Sequence, residues 1–300
     1  MSILGRVSYS TYAVARRVLR RTGLITALPP EFRAAAARMV YRTFSTNERP
    51  LIIRGHRMVL ASSGRYAPLD MAGGRFEAST TKLFFNLLKP GDNFVDVGAH
   101  VGYYSLLAAR LVGETGRVFS FEPEPQNYEL LVKNVRANAY KNIMTVQRAI
   151  GDQPGQMPLF LSSVDNGLHS LFQLGLPKHG NVTVEVTTLD DYFGAIGWPE
   201  IALVKVDIEG GESAALEGMR ELIRRSPHIK FIMEFCPWIL DALNITARQY
   251  LDQIRALGFS IQVIEVNGPV PLEDVDADEL VRRLLQEHSY LNLLCTRVAS

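Results

Sequence analysis

Six apolar runs of five to seven residues recur between Asn93 and Val266, and their texture limits the fold more than any other feature of the chain. They are Asn93–Val97, Arg117–Phe121, Met144–Ala149, Ala202–Asp207, Lys230–Phe235 and Ser260–Val266. Most are continuously apolar rather than alternating, as in strands buried on both faces. Between them lie stretches with helical spacing, predicted as helices over Tyr103–Leu111, Gln126–Ala137, Glu212–Ser226 and Thr246–Leu257. Alternation of this kind predicts an α/β fold, a parallel sheet covered by helices on both sides, closed by a final strand at Tyr290–Arg297.

Upstream the texture differs. "TKLFFNLLKPGD" predicts a helix stopped by Pro90-Gly91, and "PLIIRGHRMVLAS" two short strands around Gly55. Residues 1–50 hold nine Arg, no Lys and only Glu31 and Glu48, a net charge of +7 that leaves −6 on the remainder. Arg16, Arg17, Arg20 and Arg21 share one side of a helical projection, with Tyr12, Ala15, Val18 and Leu19 on the other. This basic amphipathic helix either packs on the main domain or makes a weak contact with an anionic membrane surface. A second helix is predicted from Glu31 to Phe44. The division is therefore a helical extension over 1–50 and one domain over 51–300, with an insertion at about 153–190 where ligands bind in such sheets.

Bulk properties narrow the class. At 47% hydrophobic and 21% charged residues the 300-residue chain has the composition of a globular protein, and its net charge of +1 implies no nucleic-acid partner. No apolar run is long enough to cross a bilayer. Cys236 and Cys295 lie in apolar segments and read as reduced core thiols, which fits a cytoplasmic protein.

"FVDVGAHVGYYSLLAAR" places a two-glycine turn between the first long strand and its helix. Gly98 lets the backbone turn sharply, and Gly102 allows close approach at the helix start. Glu122 ends the second strand, 24 residues beyond Gly98, where an acid accepts hydrogen bonds from both ribose hydroxyls of a bound nucleoside. A dinucleotide loop needs its pyrophosphate to meet the helix N-terminus, and His100 and Val101 obstruct that approach. S-adenosylmethionine has no phosphate, and Asp96 can meet its ammonium. Asp152, after the third strand, can meet the adenine amino group. Lys205, Asp207 and Glu209 fall on one face if the fourth strand is regular, which puts two carboxylates beside the cleft.

Together "PGDNFVDVGAHVGYYSLLAARLVGETGRVFSFEPEPQNYELLVKNV", "RAIGD", "VTTLDDYF" and "IALVKVDIEGGESAALEGM" resemble the FkbM-type methyltransferases, over about Gly64 to Phe235. The resemblance implies a Rossmann-like class I methyltransferase fold, with a seven-stranded, mostly parallel sheet whose last strand is antiparallel. It implies S-adenosyl-L-methionine as cofactor, at Asp96, Gly98, His100, Gly102, Glu122 and Asp152, and a small-molecule hydroxyl acceptor such as a sugar, glycolipid or natural product. Asp207, Glu209 and Glu212 match the family's acidic fourth-strand motif. His100 departs from the Asn usual in the family.

An alcohol needs a base within hydrogen-bond reach before it attacks a methyl group. Asp207, Glu209 and His169, the last from the insertion, are the candidates. Oxygen ligands suit Mg²⁺, but only two carboxylates converge in the sequence, so no metal is assigned. Two other readings stay open: an NAD(P)-dependent oxidoreductase, and a non-catalytic protein that keeps the adenosylmethionine fold for binding.

Overall fold

A computed structural model describes residues 50–60, 70, 71, 74–163 and 166–298. The two helices expected within residues 1–50, and their membrane contact, lie outside the described residues. The chain begins with the hairpin Leu51–Ile53 (β1) and His56–Met58 (β2), followed by helix Ala78–Leu87 (α1). Then come Asn93–Val97 (β3), Tyr103–Val112 (α2), Arg117–Phe121 (β4), Pro125–Ala137 (α3), Ile143–Val146 (β5) and Ala149–Ile150 (β6). The insertion supplies Gly155–Ser162 (β7) and Lys178–Thr187 (β8), and is followed by Leu189–Ala195 (α4) and Leu203–Val206 (β9). After these lie Glu212–Glu217 (α5), Arg220–Arg225 (α6), Lys230–Phe235 (β10), Pro237–Ala242 (α7) and Ala247–Ala256 (α8). Phe259–Glu265 (β11), Gly268–Pro271 (β12), Ala277–Glu287 (α9) and Leu291–Arg297 (β13) complete the chain.

The main sheet runs β12-β11-β13-β10-β9-β3-β4-β5. β5, β4, β3, β9 and β10 are mutually parallel, and β13 is antiparallel to both of its neighbours. The seven expected strands are present, and β12 adds an eighth by a hairpin onto β11. The central strands carry two cores. Val95, Val97, Phe119, Phe121, Val204 and Val206 face one layer of helices. Phe94, Val118, Leu203 and Ile232 face the other, where Leu106 and Leu107 of α2 meet them. This two-residue alternation within continuously apolar strands is what burial on both faces requires. The strand order reverses between β3 and β9, so a crevice opens there at the carboxyl ends of the strands.

Helix boundaries follow local chemistry. Glu124 caps α3 by accepting from Asn127 N at 2.7 Å, with Pro125 in the first turn. Thr246 and Gln249 form a reciprocal capping box on α8. Three expectations change. The single helix over Glu212–Ser226 is two, α5 and α6, broken at Gly218 and Met219. A Cβ on Gly218 would lie 2.0 Å from the Gly151 carbonyl oxygen, and the Asp190 carboxylate accepts from Glu221 N and Leu222 N at the start of α6. The strand expected over Met144–Ala149 stops at Val146, because Ala149–Ile150 leaves the main sheet to pair with β8. With β7 this makes a separate three-stranded sheet, β6-β8-β7, beside the crevice. Helices α4, α7 and α9 were not anticipated. Both cysteines are buried and free, and among the described residues no helix is long and apolar enough to cross a membrane.

Candidate active site

A cavity of about 440 Å³ opens at the carboxyl ends of β3, β4, β9 and β10 and is partly roofed by the insertion. Its first wall is the turn after β3. Gly98 and Gly102 take φ of +85° and +91°, and His100 takes +50° between them. His is among the few side chains that adopt this left-handed conformation readily, as Asn does, so the backbone explains how His100 can stand where the family usually has Asn. A Cβ on Gly98 would lie 1.9 Å from the Asp207 carbonyl oxygen, so this glycine is what lets β3 and β9 meet at the cleft. Gly102 works differently from expectation. Its clearance accommodates Leu131 of α3, 2.7 Å from an added Cβ, and it does not line the cavity.

Four N–H groups of this turn are already engaged. Gly98 N and Ala99 N donate to the Phe121 carbonyl, Gly102 N donates to Ala99 O, and His100 N donates to Glu122 Oε2 at 2.8 Å. Glu124 N donates to the other Glu122 oxygen at 3.0 Å. The Glu122 carboxylate thus takes up the His100 N–H, one of the donors that an anion at this turn would use. Each Glu122 oxygen keeps a further lone pair for the hydroxyls of a ribose. Burial pushes the Glu122 carboxyl up to about 7, against the pull of the two backbone donors. Asp96, also buried, accepts from Ser105 Oγ at 2.5 Å; burial pushes it up to about 6, opposed by the Lys205 charge. These two buried carboxyls could hold adenosylmethionine, Glu122 at its ribose and Asp96 at its methionine end. Asp152 does not join it. Asp152 is exposed and lies off the cavity wall, because β6 turns toward β8 before reaching it.

The opposite wall is the turn after β9. Lys205 is 2% exposed, its Nζ lies 2.6 Å from Asp207 Oδ2, and it faces Asp96 across the β3–β9 ladder. Burial disfavours its charge, but Asp207, Glu77 and Asp96 more than compensate and raise its pKa. Lys205 and Asp207 share a face as strand alternation predicts. Glu209 reaches the same space by another route: it lies beyond the strand end in a left-handed turn, φ +54°. Glu212 holds that turn, accepting from Ile208 N at 3.0 Å and Gly210 N at 2.9 Å. Glu212 is thus a buried clamp and not part of the cavity lining. His169 lines the cavity, and its Nδ1 accepts from Ser162 N at 3.0 Å. With that lone pair engaged, the ring proton falls on Nε2 and the imidazole is a donor, which disfavours it as a base.

Three contributors were not singled out from the sequence. Glu234 of β10 is 6% exposed, and its oxygens come within 4.8 Å of those of Asp207 and Glu209. An acid inside the apolar run "FIMEF" was the visible signal. Glu77 accepts from Tyr104 OH at 2.7 Å and lines the cavity from the segment before α1. Asn166 of the insertion joins His100 Nε2 at 2.9 Å and donates to Asn127 Oδ1 at 3.0 Å, so the His100 ring ties the turn to the insertion.

Residues 96–290 match the Methyltransferase FkbM domain family. The chain belongs to the FkbM methyltransferase family. Membership places it among the S-adenosylmethionine-dependent methyltransferase enzymes, in accord with the cofactor read from the residues. Among curated relatives, a probable cobalt-precorrin-6B C(15)-methyltransferase (decarboxylating) of Sulfolobus acidocaldarius is 33% identical over 94 residues, 31% of this chain and 43% of that protein. The hexuronic acid methyltransferase AglP of Haloferax volcanii is 24% identical over 151 residues, 50% of this chain and 59% of that one. The FkbM-family chain thus spans about half the length of the curated relatives it matches. A solved FkbM methyltransferase from Methylobacillus flagellatus KT aligns at a TM-score of 0.43 and 14% identity, over 86% of this chain and 58% of that one.

Proposed function

We propose that this FkbM-family chain methylates a hydroxyl oxygen of a small molecule, a carbohydrate or a hydroxylated natural product. The observation that carries the reading is the pair Asp207 and Glu209, set on the cavity wall opposite Glu122. Adjacent strands are spaced about 4.8 Å apart, so the two steps from β4 to β9 separate these acids by roughly 10 Å. That leaves room for a nucleoside against one wall and an acceptor against the other. Bound adenosylmethionine supplies the methyl group from its sulfonium and leaves as adenosylhomocysteine.

The chain's own residues then have two tasks. Glu122 and the turn around Gly98 hold the nucleoside, and the β9 carboxylates orient the acceptor and take its hydroxyl proton as the oxygen gains carbon. Lys205 occupies one Asp207 oxygen and leaves the other for the acceptor. His169, as a donor, serves to hold an acceptor oxygen rather than to deprotonate it. A hexuronic acid as substrate of one relative supports a sugar-like acceptor.

Methyl-labelled adenosylmethionine incubated with uronic acids, neutral sugars and hydroxylated natural products tests this reading. Alkali-stable methyl ethers are expected. Label found only in alkali-labile methyl esters, or only on carbon, would overturn it.

A further inference from the structure

The cavity floor between β9 and β10 holds more negative groups than the methyl-transfer chemistry needs. Asp207, Glu209 and Glu234 each bring a carboxylate oxygen within 4.8 Å of the other two. Like charges at this spacing in a partly buried site repel unless a cation or a proton stands between them. Lys205 is the cation they share, yet its hydrogen bond goes to Asp207 Oδ2, and Glu77 and Asp96 draw on the same ammonium.

A second observation is independent of the spacing. Glu234 Oε2 is buried and has no hydrogen-bond partner among the described residues. Directly across the ladder, on the same face, Asn292 Oδ1 is likewise buried and unpartnered. The Asn292 amide cannot turn to relieve this, because its Nδ2 already donates to Glu77 Oε2 and Thr80 Oγ1. Two adjacent acceptors lacking a donor, next to two more carboxylates, mark a place for a positive group. An unsatisfied buried carboxylate is among the most costly features a fold can keep.

We propose that Asp207, Glu209 and Glu234 bind a hard divalent cation, Mg²⁺ or Mn²⁺, on the acceptor side of the cavity. All-oxygen ligands from flexible carboxylates suit such ions, and a site open on one side leaves positions for water or substrate oxygen. Glu234 lies three strand steps from Glu122, roughly 14 Å, so the ion is set apart from the nucleoside wall. This deepens the methyltransferase reading and rests on it for its role. The cation would hold the acceptor hydroxyl and make its proton easier to lose, with the Glu209 carboxylate beside it to take that proton.

The test is Mn²⁺ binding to the full chain, followed by electron paramagnetic resonance, with Mg²⁺ as competitor. Saturable binding at one site is expected, displaced by Mg²⁺ and retained when adenosylhomocysteine is present. Glu234→Gln is near-isosteric and removes charge repulsion, so it should fold at least as well as the wild type. It should weaken Mn²⁺ binding by about tenfold or more, and Glu209→Gln should do the same. Glu287→Gln, on the exposed face of α9, should leave binding unchanged. Three results overturn the proposal. No saturable binding at millimolar Mn²⁺ would mean that a proton shared by Glu234 and Asn292 fills the gap. Equal affinity in wild type and Glu234→Gln would move the ion elsewhere. Loss of Mn²⁺ binding on adding adenosylhomocysteine would give the acids to the cofactor. Methyl transfer that persists undiminished in chelator would remove the ion's role while leaving the methyltransferase reading intact.

Discussion

Glu122→Gln separates cofactor recognition from folding. In the wild type the two carboxylate oxygens accept from His100 N and Glu124 N. Glutamine keeps one acceptor and turns an NH₂ group toward the other backbone N–H, which costs about 1–3 kcal/mol. Against this, burial raises the wild-type carboxyl from its ordinary value of 4.5 to about 7. A raised acid stabilises the fold below its unfolded pKa and loses that contribution as pH rises through its folded pKa. Above pH 7 the ionised carboxylate therefore costs the folded apoprotein about 3 kcal/mol, which glutamine does not incur. The two effects nearly cancel at pH 8, so the variant should melt close to wild type there and below it at pH 5. Affinity should not be spared. Hydrogen bonds from two ribose hydroxyls to a carboxylate are worth about 1.5–3 kcal/mol each, and the amide recovers part of one. A net loss of about 3 kcal/mol weakens adenosylhomocysteine binding slightly more than 100-fold at pH 8. Wild-type affinity should also fall about tenfold from pH 8 to pH 6 as Glu122 takes up its proton, while the variant stays nearly flat; other titrating groups such as Asp96 act on both proteins alike. Calorimetric titrations at the two pH values provide the readout. A variant that binds within twofold of wild type at pH 8, or that keeps the wild-type pH slope, would refute the ribose role.

Three further outcomes follow from the same geometry. Lys205→Met should destabilise the chain by about 3–5 kcal/mol, because it leaves Asp96, Asp207 and Glu77 without their shared ammonium. Urea unfolding should show the loss growing from pH 5 to pH 8 as Asp96 and Glu77, both raised by burial, ionise. His100→Asn should keep adenosylhomocysteine affinity within about threefold, since the bond to Glu122 is made by the backbone and Asn tolerates the same φ. It should, however, raise proteolytic cutting near Gly167, because the link to Asn166 is lost. Asp152→Ala should leave cofactor affinity unchanged, and a tenfold loss would return Asp152 to the adenine subsite.

The strands were legible because each is an apolar run bounded by Gly, Pro or a change of period, and five of the six run close to their expected limits. Met144–Ala149 misled because Gln147 and Arg148 interrupt it, and the structure uses that interruption to send Ala149–Ile150 into another sheet. Glu122 and Asp207 could be placed because a strand tip in a parallel sheet points into the crevice whatever the loops do. In "DIEGGE" strand alternation puts Glu209 beside Asp207, but Glu209 reaches the cavity through a left-handed turn that Glu212 clamps, a turn the spacing does not reveal. Gly102 was misread for a similar reason, since a glycine can clear space for a ligand or for a Leu131 that sequence spacing does not bring near. Glu234 needed a partner strand. One acid in an apolar run is a signal, but its meaning came from Asp207 and Glu209 in the turn after β9 and from Asn292 on β13.

The central claim is that the turn at Gly98 and the acid at Glu122 form an adenosylmethionine site rather than a dinucleotide site. Parallel calorimetric titrations of the wild-type chain with adenosylhomocysteine and with NADH test it most directly. One-to-one binding of adenosylhomocysteine and no heat from NADH are expected. Saturable NADH binding without adenosylhomocysteine binding would contradict it.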